Sequence, residues 1–176
     1  MIEKIKKTII KGLSKREVEI IAWLEFNKKY FFTIKDIEHF LKNKTQRYNI
    51  IKNLIYKKRI LKLNKEKYYL VPIKAKLGKW IEEPFVVIDE IMNGKDYYIG
   101  GWGAANYWRL TDQIPFRFDV YTTRRQGKLN VLNTEITFHR STKESMNKKA
   151  IVKKIQKHEF SILNKRESKG WMKSRE

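Results

Sequence analysis

The amino-acid sequence predicts an α+β protein in three segments, and three observations carry that prediction. Residues 1–72 show helical hydrophobic periodicity three times and then strand-like patterning twice. Residues 83–142 mix short helical and strand patterns, which reads as a small α+β domain. Residues 143–176 are polar and Lys-rich and read as a basic C-terminal tail.

Ser14 followed by Glu17 is a capping-box signature, in which hydroxyl and carboxylate satisfy each other's backbone N–H. A first helix is therefore expected at about 15–27, carrying Val18, Ile20, Ile21, Trp23 and Leu24. Tyr30-Phe31-Phe32 is a short strand-like run. Thr33 is the expected cap of a second helix with Ile34, Ile37, Phe40 and Leu41 on one face. Asn43-Lys44-Thr45 makes a polar turn, and Thr45 is expected to cap a third helix running to about Arg59.

At about 100° per residue, Tyr48, Ile51, Leu54 and Ile55 form the buried stripe of that third helix, with Ile50 at its edge. Gln46, Asn49, Asn53 and Tyr56 then lie opposite, flanked by Lys52 and Lys57. Ile60–Leu63, the polar turn Asn64-Lys65-Glu66-Lys67 and Tyr68–Val71 read as a β-hairpin that Pro72 closes. Three helices, the last two joined by a turn and followed by a basic-tipped hairpin, is the order of a winged helix-turn-helix, expected here over residues 1–72. Residues 73–82 are the candidate linker.

Further along, Pro84 opens a helix through about Met92 that Asn93-Gly94 closes. Tyr97–Gly100 is an expected strand, Ala104–Leu110 a short helix, and Phe116–Thr122 a strand opened by Pro115. Leu129–Leu132 and Thr134–Arg140 make a hairpin-like pair around Asn133. In the tail only Ile151, Val152 and Ile155 suggest an amphipathic stretch, with a closing turn near Trp171.

Charge decides the partner class. The chain has 40 Lys and Arg against 19 Asp and Glu, a formal net charge of +21. Residues 1–72 hold 19 basic and 7 acidic residues, residues 73–142 hold 10 and 8, and residues 143–176 hold 11 and 4. A chain-wide compositional preference for Lys would not spare the middle, so a polyanion site is expected in the N-terminal segment, with the tail assisting. The absence of cysteine excludes a disulfide scaffold, a thiolate metal site and a Cys nucleophile. Ile9-Ile10 is too short for the apolar region of a signal peptide, and no run of ~18 apolar residues occurs, so a cytoplasmic protein without a membrane span is expected.

Bidentate recognition of adenine needs a side-chain amide on the groove-facing side of a helix, and Gln46, Asn49 and Asn53 offer three. The expected DNA-binding set is Thr45, Gln46, Arg47, Asn49, Lys52, Asn53, Tyr56 and Lys57, with Lys65 and Lys67 reaching phosphates from the hairpin tip. An ordinary solvated helix face would carry similar residues, and the winged order around it favours DNA. His39, His139 and His158 are widely separated and lack metal-ligand spacing, so they read as surface or core histidines. Asp119 and Glu135 on neighbouring expected strands resemble the paired acids of a metal-dependent nuclease, yet Glu135-Ile136-Thr137 lacks the following Lys such a site needs. Gly100–Gly103 has neither a P-loop Lys nor the GxGxxG spacing, and reads as a tight strand-to-helix turn. No catalytic residue, cofactor or metal site is expected.

Tyr97-Tyr98-Ile99-Gly100-Gly101-Trp102-Gly103-Ala104-Ala105, then Tyr107–Thr111, Gln113-Ile114-Pro115 and Val120–Thr123, resembles the AbiEi antitoxin family. Its members are transcriptional regulators of type IV toxin–antitoxin and viral-defence systems. The resemblance covers about residues 14–142 and includes the N-terminal winged helix and a closing strand with Phe138-His139-Arg140. It implies autorepression through an inverted-repeat operator on double-stranded DNA, two protein copies, and a cognate toxin countered functionally rather than by direct contact. Many family members continue into a longer helical region, where this chain is expected to have its short basic tail. The alternatives are a winged-helix module for protein or RNA and, more remotely, a nuclease using Asp119 and Glu135.

Overall fold

The structure, a computed structural model, describes residues 12–72, 83–131, 134–155 and 158–175. It is mixed α+β, and it divides into two compact units, Met1–Trp80 and Ile81–Glu176. The candidate linker 73–82 lies outside the described residues, as do Ile9, Ile10, Leu132 and Asn133.

In the N-terminal unit, α1 (Lys15–Phe26) begins at the expected capping box: Glu17 N–H donates to Ser14 Oγ at 3.3 Å, and Ser14 N–H to Glu17 Oε2 at 2.6 Å. After β1 (Phe31–Thr33), helix α2 is only Ile34–Ile37, continued by a 3-10 turn at Glu38–Phe40. Its start is held by Asp36, whose carboxylate accepts from the Thr33 N–H and hydroxyl. Helix α3 (Lys44–Tyr56) leads into the hairpin of β2 (Ile60–Lys62) and β3 (Lys67–Leu70). All strands are antiparallel in the order β1-β3-β2, so β3 is central. Ile20, Ile21 and Leu24 from α1, Phe32, Ile37, Ile50, Ile51 and Leu54 from the middle, and Ile60 and Leu70 from the hairpin form one core. Burying each such side chain stabilises the unit by about 1.5–3 kcal/mol before conformational entropy is charged against it.

The C-terminal unit begins with α4 (Pro84–Met92), closed by left-handed Asn93 at φ 56°. Then come β4 (Tyr97–Gly100), α5 (Gly101–Tyr107), β5 (Arg117–Thr122), β6 (Gly127–Val131) and β7 (Thr134–Arg140). Helix α5 starts three residues earlier than expected, because Gly101 at φ +55° turns the chain directly out of β4. At that point its backbone lies against the Asp119 carboxylate, and any Cβ would collide with it.

The expectation of a basic tail over 143–176 is overturned. That segment forms α6 (Lys143–Lys149), β8 (Ala150–Ile155), β9 (His158–Leu163) and α7 (Lys165–Lys173). The strands complete a six-stranded sheet in the order β6-β7-β5-β4-β9-β8, with β5·β7 and β4·β9 parallel. Phe85 of α4 meets Phe118, Tyr107 and Phe160 at ring separations of 5.5, 5.6 and 4.9 Å, so one face of the sheet is an aromatic core. Trp108 Nε1 donates to Leu163 O at 2.8 Å, tying the end of the chain to the helix beside β4.

Candidate nucleic-acid interface

Helix α3 is placed by its own first turn. The cap is Asn43 and not Thr45: Asn43 Oδ1 accepts from Gln46 N–H at 2.9 Å. Gln46 answers with its own oxygen, which accepts from Lys42 N–H at 2.6 Å. Thr45 therefore sits inside the first turn, exposed, while Gln46 is half-buried with its oxygen committed to the cap. The helix also stops at Tyr56, because Lys57 closes it and Lys58 takes a left-handed φ of 55°.

The buried side of α3 is Ile50, Ile51 and Leu54, whereas Tyr48 is 66% and Ile55 38% exposed. Relative to the expected stripe the helix is turned by roughly 60°, since residues advance about 100° each. The outermost ridge is consequently Thr45, Asn49, Lys52 and Tyr56, all exposed at i, i+4, i+7 and i+11. Asn53 is exposed on the flank of that ridge. On one side lies a hollow of about 460 Å³ with Ser14, Arg16, Lys42, Gln46 and Asn49 on its walls.

The other expected contacts divide. Lys57 is not presented to solvent: its ammonium lies 2.6 Å from Glu17 Oε2, and the two side chains are 15% and 1% exposed. Burial raises the Glu17 carboxyl, but the Lys57 ammonium and Ser14 outweigh it and hold the group below the usual carboxylate range. Arg47 is half-buried with Nη2 3.9 Å from Glu38. Lys65 is exposed at the hairpin tip, in a turn held by Asn64 Oδ1, which accepts from the Glu66 and Lys67 N–H groups. Lys67 is the half-buried first residue of the central strand β3.

Electrostatics are one-sided here. From His39 to Lys65 the sequence contains nine Lys and Arg and no acidic residue. The whole unit, residues 1–80, has 22 basic and 7 acidic residues. The arrangement can place amides and cations together against an extended anion. Sequence periodicity missed the exposed Tyr48 and the internal role of Lys57; the Lys57 partner lies 40 residues away, beyond any local signal.

The remaining candidates have partners within the fold. Asp119 Oδ1 accepts from His139 Nε2 at 2.7 Å, and Glu135 pairs with Arg117 at 3.0 Å and Lys128 at 3.4 Å. In the β5·β7 register Asp119 stands opposite Thr137, so the two acids are offset by two residues. His39 packs on Trp23 and Phe40, and His158 Nε2 lies 2.7 Å from Asp89. Among the described residues no group of three or more His, Asp or Glu could hold a metal ion, and no helix is long and apolar enough to cross a membrane. No protein-family model matches this chain, and no curated protein matches it either.

Proposed function

We propose that the protein is a sequence-specific regulator of transcription that binds double-stranded DNA through its N-terminal unit, a winged helix-turn-helix. The observation that carries this reading is the exposed ridge Thr45–Asn49–Lys52–Tyr56 within an acid-free stretch of nine cations. A 13-residue helix is about 20 Å long and fits a major groove about 12 Å wide. Asn49 and Asn53 supply amides for adenine edges, and Lys52 and Lys65 supply phosphate contacts. Lys57 leaves the contact set, because its partnership with Glu17 fixes α3 against α1. The order of motifs from Tyr97 to Thr123 supports an antitoxin of the AbiEi type, an autorepressor acting as two copies on an inverted repeat.

The test is fluorescence anisotropy with a duplex from the protein's own upstream region, a scrambled duplex of equal length and an RNA duplex. The upstream duplex is expected to bind at least ~tenfold more tightly, a difference of about 1.4 kcal/mol. Asn49→Ala should relax that preference by roughly 1–3 kcal/mol, and Lys65→Ala should weaken all duplexes evenly. Equal affinity for scrambled DNA overturns the reading, and preference for RNA turns it into an RNA-binding module.

A further inference from the structure

We propose that a second hollow beside α3 is a binding site for a small amphipathic anion, an aliphatic or aromatic carboxylate, and that its occupant competes with DNA. The competition rests on the DNA-binding reading above; the site itself does not. The groove, about 420 Å³, runs between α3 and the three-stranded sheet. That volume suits a small molecule. Its walls are carbon-rich: Ile34, Ile51, Ile55 and Tyr68, with Tyr48 standing exposed at the edge. Lys44, Arg47, Lys52 and Lys62 complete the lining, and no acidic residue is among the lining groups. Four cations around an apolar trough match a ligand with an apolar body and a negative head.

A second observation points the same way. Arg47 Nε is buried and has no hydrogen-bond partner, and the same guanidinium approaches Glu38 only to 3.9 Å. A carboxylate in the groove would meet the half-exposed end of this guanidinium, whose nearest acid stands only within 3.9 Å, with the fork geometry such groups favour. Lys52 belongs both to the groove lining and to the exposed ridge of α3, so a ligand held there and a DNA backbone would draw on the same cation.

Decanoate below its micelle concentration, titrated into the methyl-labelled full chain, tests the site by NMR. Saturable shifts of the Ile34, Ile51 and Ile55 methyls are expected, with decanol binding at least ~tenfold more weakly, since it lacks the charge. Arg47→Gln should abolish the preference for decanoate over decanol, and Ile55→Glu should abolish the shifts. Both changes fall outside the closed core, and unchanged Ile20 and Leu24 signals confirm the fold. Unmoved methyls, equal binding of decanol, or an unaltered titration in Ile55→Glu overturn the site; equal binding of decanol is what a groove for an apolar partner surface would give. In a second arm, decanoate should release the upstream duplex from the wild-type chain and not from Ile55→Glu. Simultaneous binding of both overturns the competition. If no duplex binds at all, the DNA reading fails while the decanoate titration still decides the groove.

Discussion

The two units handle charge in opposite ways. In the C-terminal unit the carboxylates on and beside the sheet have side-chain partners: Asp96 lies with Arg124, Glu135 with Arg117 and Lys128, and Asp119 and Asp89 against the rings of His139 and His158. In the N-terminal unit the closest pairs sit at helix starts, Lys29 with Asp36 and Lys57 with Glu17, and the stretch from His39 to Lys65 has no acid of its own. Residues 81–176 hold 18 basic and 12 acidic residues, against 22 and 7 in residues 1–80. The comparison teaches that net charge alone says little about a partner. What matters is whether the cations are already answered within the fold.

The largest expected effect comes from Lys57→Met, which leaves the Glu17 carboxylate 1% exposed without its cation. A loss of roughly 3–5 kcal/mol is expected, read as reduced hydrogen-exchange protection of α1 and α3 with β4 and β5 unchanged. A uniform loss in both units would break the picture of two separately stabilised bodies. Next, Gly101→Ala forces a left-handed backbone on a residue with a Cβ and pushes it into Asp119, so a loss of roughly 1–3 kcal/mol confined to the C-terminal unit is expected by the same measurement.

Acid separates the units further. Burial raises the Asp36 carboxyl, yet Lys29 and Thr33 prevail and lower it from 3.8 to about 2. Because the folded value is the lower one, the stabilisation is complete above pH 3.8 and is lost as pH falls toward about 2. Its ceiling is about 2 kcal/mol, and denaturant titrations across that window should show the slope disappearing in Asp36→Asn. The smallest effect is Arg117→Ala: with the arginine half exposed, the pair with Glu135 contributes about 0–1 kcal/mol, and Lys128 remains beside the acid. A larger loss would mean the matched pairs of the sheet act as one network.

Much of the fold was legible in local chemistry. Ser14 with Glu17, Pro84 at a helix start and Asn93 at a helix end each satisfy backbone groups within a few residues, and each stands where expected. The turn of α3 was not legible, because Tyr48 and Ile55 are apolar and only the open groove beside the sheet shows that, among the described residues, they stay exposed. Strands β8 and β9 were hidden by composition: β8 is an edge strand carrying Lys153 and Lys154, and lysines on an edge guard against stray pairing while erasing the hydrophobic pattern. The candidate interface was legible as to helix and chemistry, but its orientation depended on tertiary packing.

The parallel pairing of β4 with β9 sets a schedule for the newborn chain. Ile99 finds its partner only when Ile162 has been made. At translation speeds of about 5–20 residues per second, one edge of the Tyr97–Gly100 strand therefore waits roughly 3–12 s for its neighbour. The N-terminal unit waits less, since Phe32 of β1 pairs with Tyr68 of β3, a delay of roughly 2–7 s at the same speeds. During that window β4 is paired with β5 on one side only, and its other edge presents unpaired backbone N–H and C=O groups to any passing strand.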